Sequence, residues 1–351
     1  MKKVLVLVLA LGMALSLVAC AQPGTPAESP AAGPAEESAA VESPDASEPA
    51  AETQATGDLP LAGKVIGNTI VYKGDVWCSL LAQEFEQQAA ALGAEITVED
   101  GDINAETQNK QIENMIARNV DVIFADPATL DGCTPAFEKA HEAGIPILTY
   151  DSEPSYENII SHTGWDNYET GRMVGEYVVD YVNENMNGEA KIVLLGNYAS
   201  EHCLHREEEF EKVIAATNGK IQIISKQDCE GNREKAANAI TNIVEPFDIV
   251  VSVVDNGAWG AVSALEARGA TDVKVFCMGA YGDEPFQALR DGHPIYEACL
   301  IVDPSEIARL TLDNYVKYVQ GNTDEIEKIT NIPLYICNTE NIADFYSFPN
   351  G

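Results

Sequence analysis

The sequence predicts an α/β chain: two doubly wound parallel sheets, one per lobe, facing each other across a cleft. Three observations predict it. Short apolar, β-branched runs alternate with amphipathic helical stretches from Val65 to Val319, the pattern of sheets covered by helices on both faces. The alternation pauses after Asp151 and begins again near Ile159, so one architecture occurs twice. The 351 residues, 46% hydrophobic, are enough for two lobes with full cores.

The stretch from Val120 to Asp151 sets the pattern. Val120 to Ala125 reads as a buried strand ended by Asp126, Pro135 to Ala143 as a helix stopped by Gly144, and Ile145 to Tyr150 as a second strand ended by Asp151. Strand, helix, strand at this spacing is a right-handed crossover, which puts Asp126 and Asp151 together at the carboxyl edge of one sheet. Open α/β sheets bind ligands at that edge.

The remaining elements follow in order. Val65 to Val71 is a strand, and Val76 to Leu92 is a helix with Leu80, Leu81, Phe85, Ala89 and Leu92 on one side. Glu95 to Val98 is a strand and Ala105 to Arg118 a helix. After the pause, Ile159 to His162 is a short strand, and Asp166 with Glu169 forms a capping box for a helix from Tyr168 to Asn183. Strands are expected at Ile192 to Leu195, Ile221 to Ser225, Ile249 to Val254 and Val273 to Met278, with helices at Glu207 to Ala216, Glu234 to Ile243 and Ala258 to Arg268.

The formal charge of −35 repels phosphate backbones and anionic lipid, which excludes nucleic-acid and peripheral membrane binding as the main task. Lys2 and Lys3 precede an apolar run, Val4 to Val18, too short to span a bilayer comfortably, so residues 1–20 read as a secretory signal. The run ends Leu17-Val18-Ala19-Cys20, which resembles a bacterial lipobox. That implies diacylglyceryl attachment at Cys20 and an anchor facing outside the cytoplasm. Residues 21–60, rich in Pro, Ala, Ser and Glu and with no Lys or Arg, cannot bury enough surface to fold. They read as a tether with a reach of roughly 35 Å.

Seven cysteines remain: Cys78, Cys133, Cys203, Cys229, Cys277, Cys299 and Cys337. An odd number cannot all pair within one chain, and the last three sit in apolar strand-like runs as small buried hydrophobes. The cluster His202, Cys203 and His205, with Cys229 on a neighbouring loop, leaves a metal, a disulfide and two free thiols open, although its spacing fits no standard zinc site. No nucleophile elbow, phosphate loop or metalloprotease motif occurs. No cofactor and no catalysis are expected.

The order of elements, with QNKQIENMIARNVDVIFADP, KAHEAGIPILTYD, TGWDNYETGRMVGEY and REEEFEKVI, resembles the ribose-binding-protein-like family of periplasmic sugar-binding proteins from about Gly63 to Asn341. The resemblance implies two lobes joined by three hinge strands. The first lobe would take residues 61–165 plus 303–332, and the second 166–302 plus 333–351. The chain would cross near Trp165/Asp166, Val302/Asp303 and Pro333, and a helix from Pro304 to Val319 would return to the first lobe. It further implies a monomeric receptor that closes over one small polar, sugar-like ligand and delivers it to an ABC permease. A sensor that signals to a membrane kinase or chemoreceptor is the alternative.

The same resemblance nominates the site. Asp151 matches a ligand-binding aspartate, and Arg206 a cleft arginine, with a surface pairing to Glu207 or Glu209 as its other reading. Asp126 stands where the family has an Asn, either on the ligand or capping a turn. Asp75 and Trp77 occupy the loop of the family's paired aromatics; Asp75 is otherwise a helix cap and Trp77 core. Val254 and Val302 stand where the family has polar contacts, and Met278-Gly279-Ala280-Tyr281-Gly282 replaces a Phe-Asp-Gly run. Asp255, Asn256, Tyr281 and Trp165 are the candidates to replace what is lost, Asp255 and Asn256 being alternatively caps.

Overall fold

The protein is described from a computed structural model covering residues 59–346. The signal, Cys20, almost all of the tether and the last five residues lie outside the described residues. Among the described residues no helix is long and apolar enough to cross a membrane.

The first lobe holds β1 (Val65–Ile70), α1 (Val76–Ala91), β2 (Glu95–Asp100), α2 (Ala105–Ala117), β3 (Val122–Ala125), α3 (Thr134–Glu142), β4 (Ile147–Tyr150) and β5 (Ser161–Gly164). The chain then runs through α4 (Asn167–Asn185), β6 (Ala190–Gly196), α5 (Glu201–Ala215), β7 (Ile221–Asp228), α6 (Arg233–Asn242), β8 (Ile249–Ser252) and α7 (Asp255–Ala267). It continues with β9 (Lys274–Ala280), α8 (Asp283–Arg290), β10 (Tyr296–Ile301) and α9 (Pro304–Val319). Two short strands, β11 (Ile329–Asn331) and β12 (Tyr335–Asn338), and α10 (Ile342–Phe345) complete it.

Two six-stranded sheets result, ordered β11-β5-β4-β3-β1-β2 and β12-β10-β9-β8-β6-β7. The two orders are the same pattern repeated, and every pairing is parallel except β10 with β12. β11 adds to β5 of the first sheet while β12, a few residues later, adds to β10 of the second.

Both sheets are covered on both faces, which is why their strands read as unbroken apolar runs. In β3, Val122 and Phe124 face the core under α1 and α9, while Ile123 and Ala125 face the core under α2 and α3. In β6, Ile192 and Leu194 face α4 and α5, while Val193 and Leu195 face α6 and α7. One apolar cluster also passes between the lobes: Trp77, Trp165, Val254 and Val302 join the α1/α9 face to the α4/α5 face.

Several boundaries differ from expectation. The helix expected from Glu207 begins at Glu201, because the Ser200 side chain accepts the Cys203 N–H as N-cap. His202, Cys203 and His205 therefore lie on a helix, not a loop. The strand expected at Ile159 to His162 is Ser161–Gly164. α8 was not foreseen, and β10 only as the apolar strand-like run around Cys299. All seven described cysteines are free and buried, and Cys277, Cys299 and Cys337 lie directly beside one another on β9, β10 and β12.

α4 and α5 pack at backbone distance. A methyl on Gly171 would stand 2.0 Å from the Arg206 carbonyl oxygen, and one on Gly175 would stand 2.9 Å from Val213 Cβ. Gly171→Ala must separate the helices, so it is expected to cost about 1–3 kcal/mol. Thermal melting would then fall by several degrees, and an unchanged melting temperature would show that the helices part freely.

Candidate functional site

The carboxyl ends of both sheets point toward the space between the lobes, and most of the residues named from the sequence sit there. Asp151 ends β4 in the left-handed region, φ 57°, a conformation costly for a non-glycine residue. Its amide is held by the Thr163 carbonyl at 2.9 Å. The backbone turn thus aims the carboxyl off the sheet edge.

Arg206 enters from α5. It is 6% exposed, so the surface reading fails, and it pairs with neither Glu207 nor Glu209. Nε donates to Asn167 Oδ1 at 2.8 Å and Nη1 to the Val253 carbonyl at 2.8 Å, while the guanidinium lies 5.6 Å from the Trp165 ring centroid. Nη2 makes no hydrogen bond among the described residues.

Asp75 combines its two readings. Oδ1 caps α1 by accepting the Trp77 and Cys78 amides, and Oδ2 accepts from Asn256 Nδ2 of the second lobe at 3.2 Å. Asp255 and Asn256 are not caps: they lie in the first turn of α7, whose N-cap Val254 makes no side-chain bond. Trp77 donates Nε1 to the Val302 carbonyl at 2.8 Å and meets Trp165 edge to face at 5.8 Å. Tyr281 is turned away, against Phe286 at 5.2 Å and toward Asp303.

Asp126 is fully buried. Oδ2 accepts the Val71 amide at 3.2 Å, whereas Oδ1 makes no hydrogen bond of good geometry, with Ser152 standing beside it. It takes backbone amides from the bends after β1 and β4, so the capping reading holds for those bends.

A cavity of about 390 Å³ opens between the lobes at the hinge side, lined by Asp151, His162, Trp165, Asn167, His202 and His205 among others. Of the ligand contacts nominated from the sequence, Asp151 and Trp165 line it; Asp75 lines a shallower depression on the rim with Val76 and Leu80. The sequence reading missed His162 and Asn167. His162 lay inside an expected strand, and Asn167 follows the capping aspartate of α4, so neither stood out as polar lining. Trp165 Nε1 is buried without an acceptor.

The site is short of positive charge. Burial pushes the Asp151 carboxyl up to about 6, against the pull of Arg206 and helped by Asp75. Burial and then Asp151 hold Asp126 well above the carboxylate range. Burial and then Glu284 push Asp255 up to about 7, against Arg233. Burial and neighbouring His202 hold His162 down at about 3, so it is neutral. No group of three or more His, Cys, Asp or Glu is placed to hold a metal among the described residues.

A periplasmic binding protein domain matches residues 66–323. The chain belongs to the periplasmic binding protein family. Among its relatives, the ribose import binding protein of Escherichia coli is 24% identical over 72% of this chain and 83% of its own length. A putative rhizopine-binding protein of Rhizobium meliloti is 26% identical over 80% and 92%. Among solved structures, an ABC transporter solute-binding protein of Bacillus halodurans with bound myo-inositol gives a TM-score of 0.72 at 22% identity, over 81% of this chain and 98% of that one. One from Actinobacillus succinogenes with bound D-allose gives 0.73 at 21%, over 80% and 100%. These structures share the fold of this periplasmic binding protein: two parallel-sheet lobes with strand ends turned to a common cleft.

The raised carboxyls give a pH dependence with a definite sign. The stability they contribute is complete below the ordinary carboxyl value near 3.8 and is lost as pH rises through the folded values, about 6 for Asp151 and about 7 for Asp255. The ligand-free protein should therefore melt lower at pH 8 than at pH 5. Asp126→Asn should melt higher than the parent at pH 8, by an amount on the order of 1–2 kcal/mol, and the gap should narrow toward pH 4. A variant that melts lower at pH 8 would show that the Asp126 carboxylate is a net stabiliser.

Proposed function

We propose that this protein is the solute-binding receptor of an ABC importer, exported and lipid-anchored through Cys20, whose two lobes close over a small sugar-like ligand. One observation carries the reading most: a cavity of about 390 Å³ opens between the lobes, lined by Asp151 of the first and by Asn167, the partner of Arg206, of the second, within the range of small-molecule sites. Family membership supports the receptor role. Three of the relatives and neighbours named above are named for, or hold, small polyols: ribose, myo-inositol and D-allose.

The chain's own groups suit such a guest. Asp151 can accept from two hydroxyls at once, and a carboxylate bond is about twice as strong as a neutral one. Arg206 keeps Nη2 for a ligand oxygen, and Trp165 offers its unused Nε1. The indoles of Trp77 and Trp165 supply apolar faces for the carbon side of a ring. Val254 and Val302 bring no polar group to the wall, so specificity falls to the first lobe, to α5 and to the hinge side. Closure brings Asp75 onto Asn256, a latch made only when the lobes meet.

Thermal-shift screening of pentoses, hexoses and cyclitols, checked by mass spectrometry of whatever copurifies, tests the class. Asp151→Ala should weaken binding of the responding compound by roughly 30-fold or more, while the ligand-free protein melts as high as the parent at pH 8. Retained affinity with a large loss of stability would make Asp151 structural instead.

A further inference from the structure

We infer that His202 is a further specificity-determining residue of the site: a relay from Arg206 through Asn167 fixes its imidazole as a hydrogen-bond donor at Nε2, which reads one oxygen of the guest. A guest with no acceptor at that position, a deoxy or an ammonium carbon, is refused. The inference rests on the receptor reading above and deepens it.

The relay is set by what each group is able to do. A guanidinium only donates, so the 2.8 Å bond from Arg206 Nε requires the amide oxygen of Asn167 on that side. The amide nitrogen is then turned to His202, with Nδ2 3.5 Å from Nδ1. An amide N–H group also only donates, so Nδ1 must accept, and the ring hydrogen belongs on Nε2. Nε2 makes no hydrogen bond among the described residues, and His202 and Asn167 both line the cavity of about 390 Å³. A charge that does not titrate thus sets the polarity of a side chain that does.

The helix keeps that side chain neutral. His202 lies in the first turn of α5, where the helix end carries partial positive charge, and Arg206 stands one turn further on the same face. The same helix brings Glu201, and His205 stacked on Tyr168 of α4 at 4.3 Å. Across the cavity stand Asp151, Glu153 and His162 of the first lobe, with Asp166 just before α4. Glu201 favours a proton on His202, but burial, then Arg206 and His205, hold the ring below its ordinary value near 6.5. A proton on Nδ1 would face the Asn167 amide hydrogens and break the relay.

The lobes then offer a guest complementary groups. The Asp151 carboxylate of the first accepts, and His202 of the second donates. A hydroxyl can both donate and accept, whereas an ammonium offers no acceptor.

Two measurements on the full chain test this. In the ligand-free protein at pH 8, nitrogen-15 NMR of the histidine rings, with His202 assigned by its loss in His202→Gln, should show hydrogen on Nε2. Asn167→Asp keeps an oxygen for Arg206 but sets an acceptor against Nδ1, so it should move the hydrogen to Nδ1 and raise the titration of the ring. An Nδ1–H ring in the parent, or a ring that Asn167→Asp leaves unchanged, overturns the relay. Isothermal titration at pH 8 then uses D-ribose, D-allose and D-galactose with their monodeoxy forms. For a sugar that binds, His202→Leu and removal of one particular hydroxyl should each cost about tenfold, and the two losses should not add. His202→Gln, whose amide N–H stands in for Nε2–H, should recover most of the loss. Below pH 6.5 the parent should weaken more steeply than His202→Gln, since Asp151, which titrates at about 6, is common to both. A sugar that binds the parent and His202→Leu equally overturns the selection and leaves the receptor intact. Binding by none of the probes overturns the sugar-like reading and the selection with it.

Discussion

A guanidinium cannot shed its proton when it is buried, so Arg206 has to be held from several sides, and the second lobe is arranged around doing so. Asn167 comes from α4, the Val253 carbonyl from the end of β8 and the Trp165 ring from the crossing strand. The close approach of α4 to α5 at Gly171 places the arginine's own backbone. Four elements thereby share one reference point. Asp151 of the opposite lobe answers to the same charge, so the electrostatic register between the lobes is set by a residue that belongs wholly to one of them.

The junction between the lobes has two characters that work against each other. One apolar cluster runs from lobe to lobe through Trp77, Trp165, Val254 and Val302, and burying that surface favours contact. Beside it Asp75 of the first lobe and Asp255 of the second repel each other across the junction, which disfavours it. Neither effect alone makes a receptor. An apolar seam alone would keep the lobes shut without a guest, and acids alone would hold them apart.

The fold was legible because burial on both faces writes itself into the strands as continuous apolar runs, and because the central crossover placed Asp126 and Asp151 at one edge. The missed elements broke that rule. β10 carries Glu297 within an otherwise apolar run, and α8 spans only eight residues. The start of α5 was hidden because Glu201-His202-Cys203-Leu204-His205 has little helical periodicity, and Ser200 is a cap only once the helix exists. The residues at strand ends could be named, but not the direction of each side chain. Asp151 lines the cavity; Tyr281, equally at a strand end, turns to Phe286 and Asp303. The cavity's hinge-side lining, His162 and Asn167, depends on where two lobes meet and has no local pattern to read.

The row of Cys277, Cys299 and Cys337 across three neighbouring strands bears on how the protein is made. In the unfolded chain every one of these thiols is bare. In the finished sheet these three are sealed; burial holds the Cys277 thiol, and the hydrogen bond with Cys337 and then burial hold the Cys299 thiol, far above their ordinary range, where they are poor nucleophiles. Reactivity is therefore a property of the nascent chain, not of the mature one. Sheet closure thus removes all three from the reach of any oxidant.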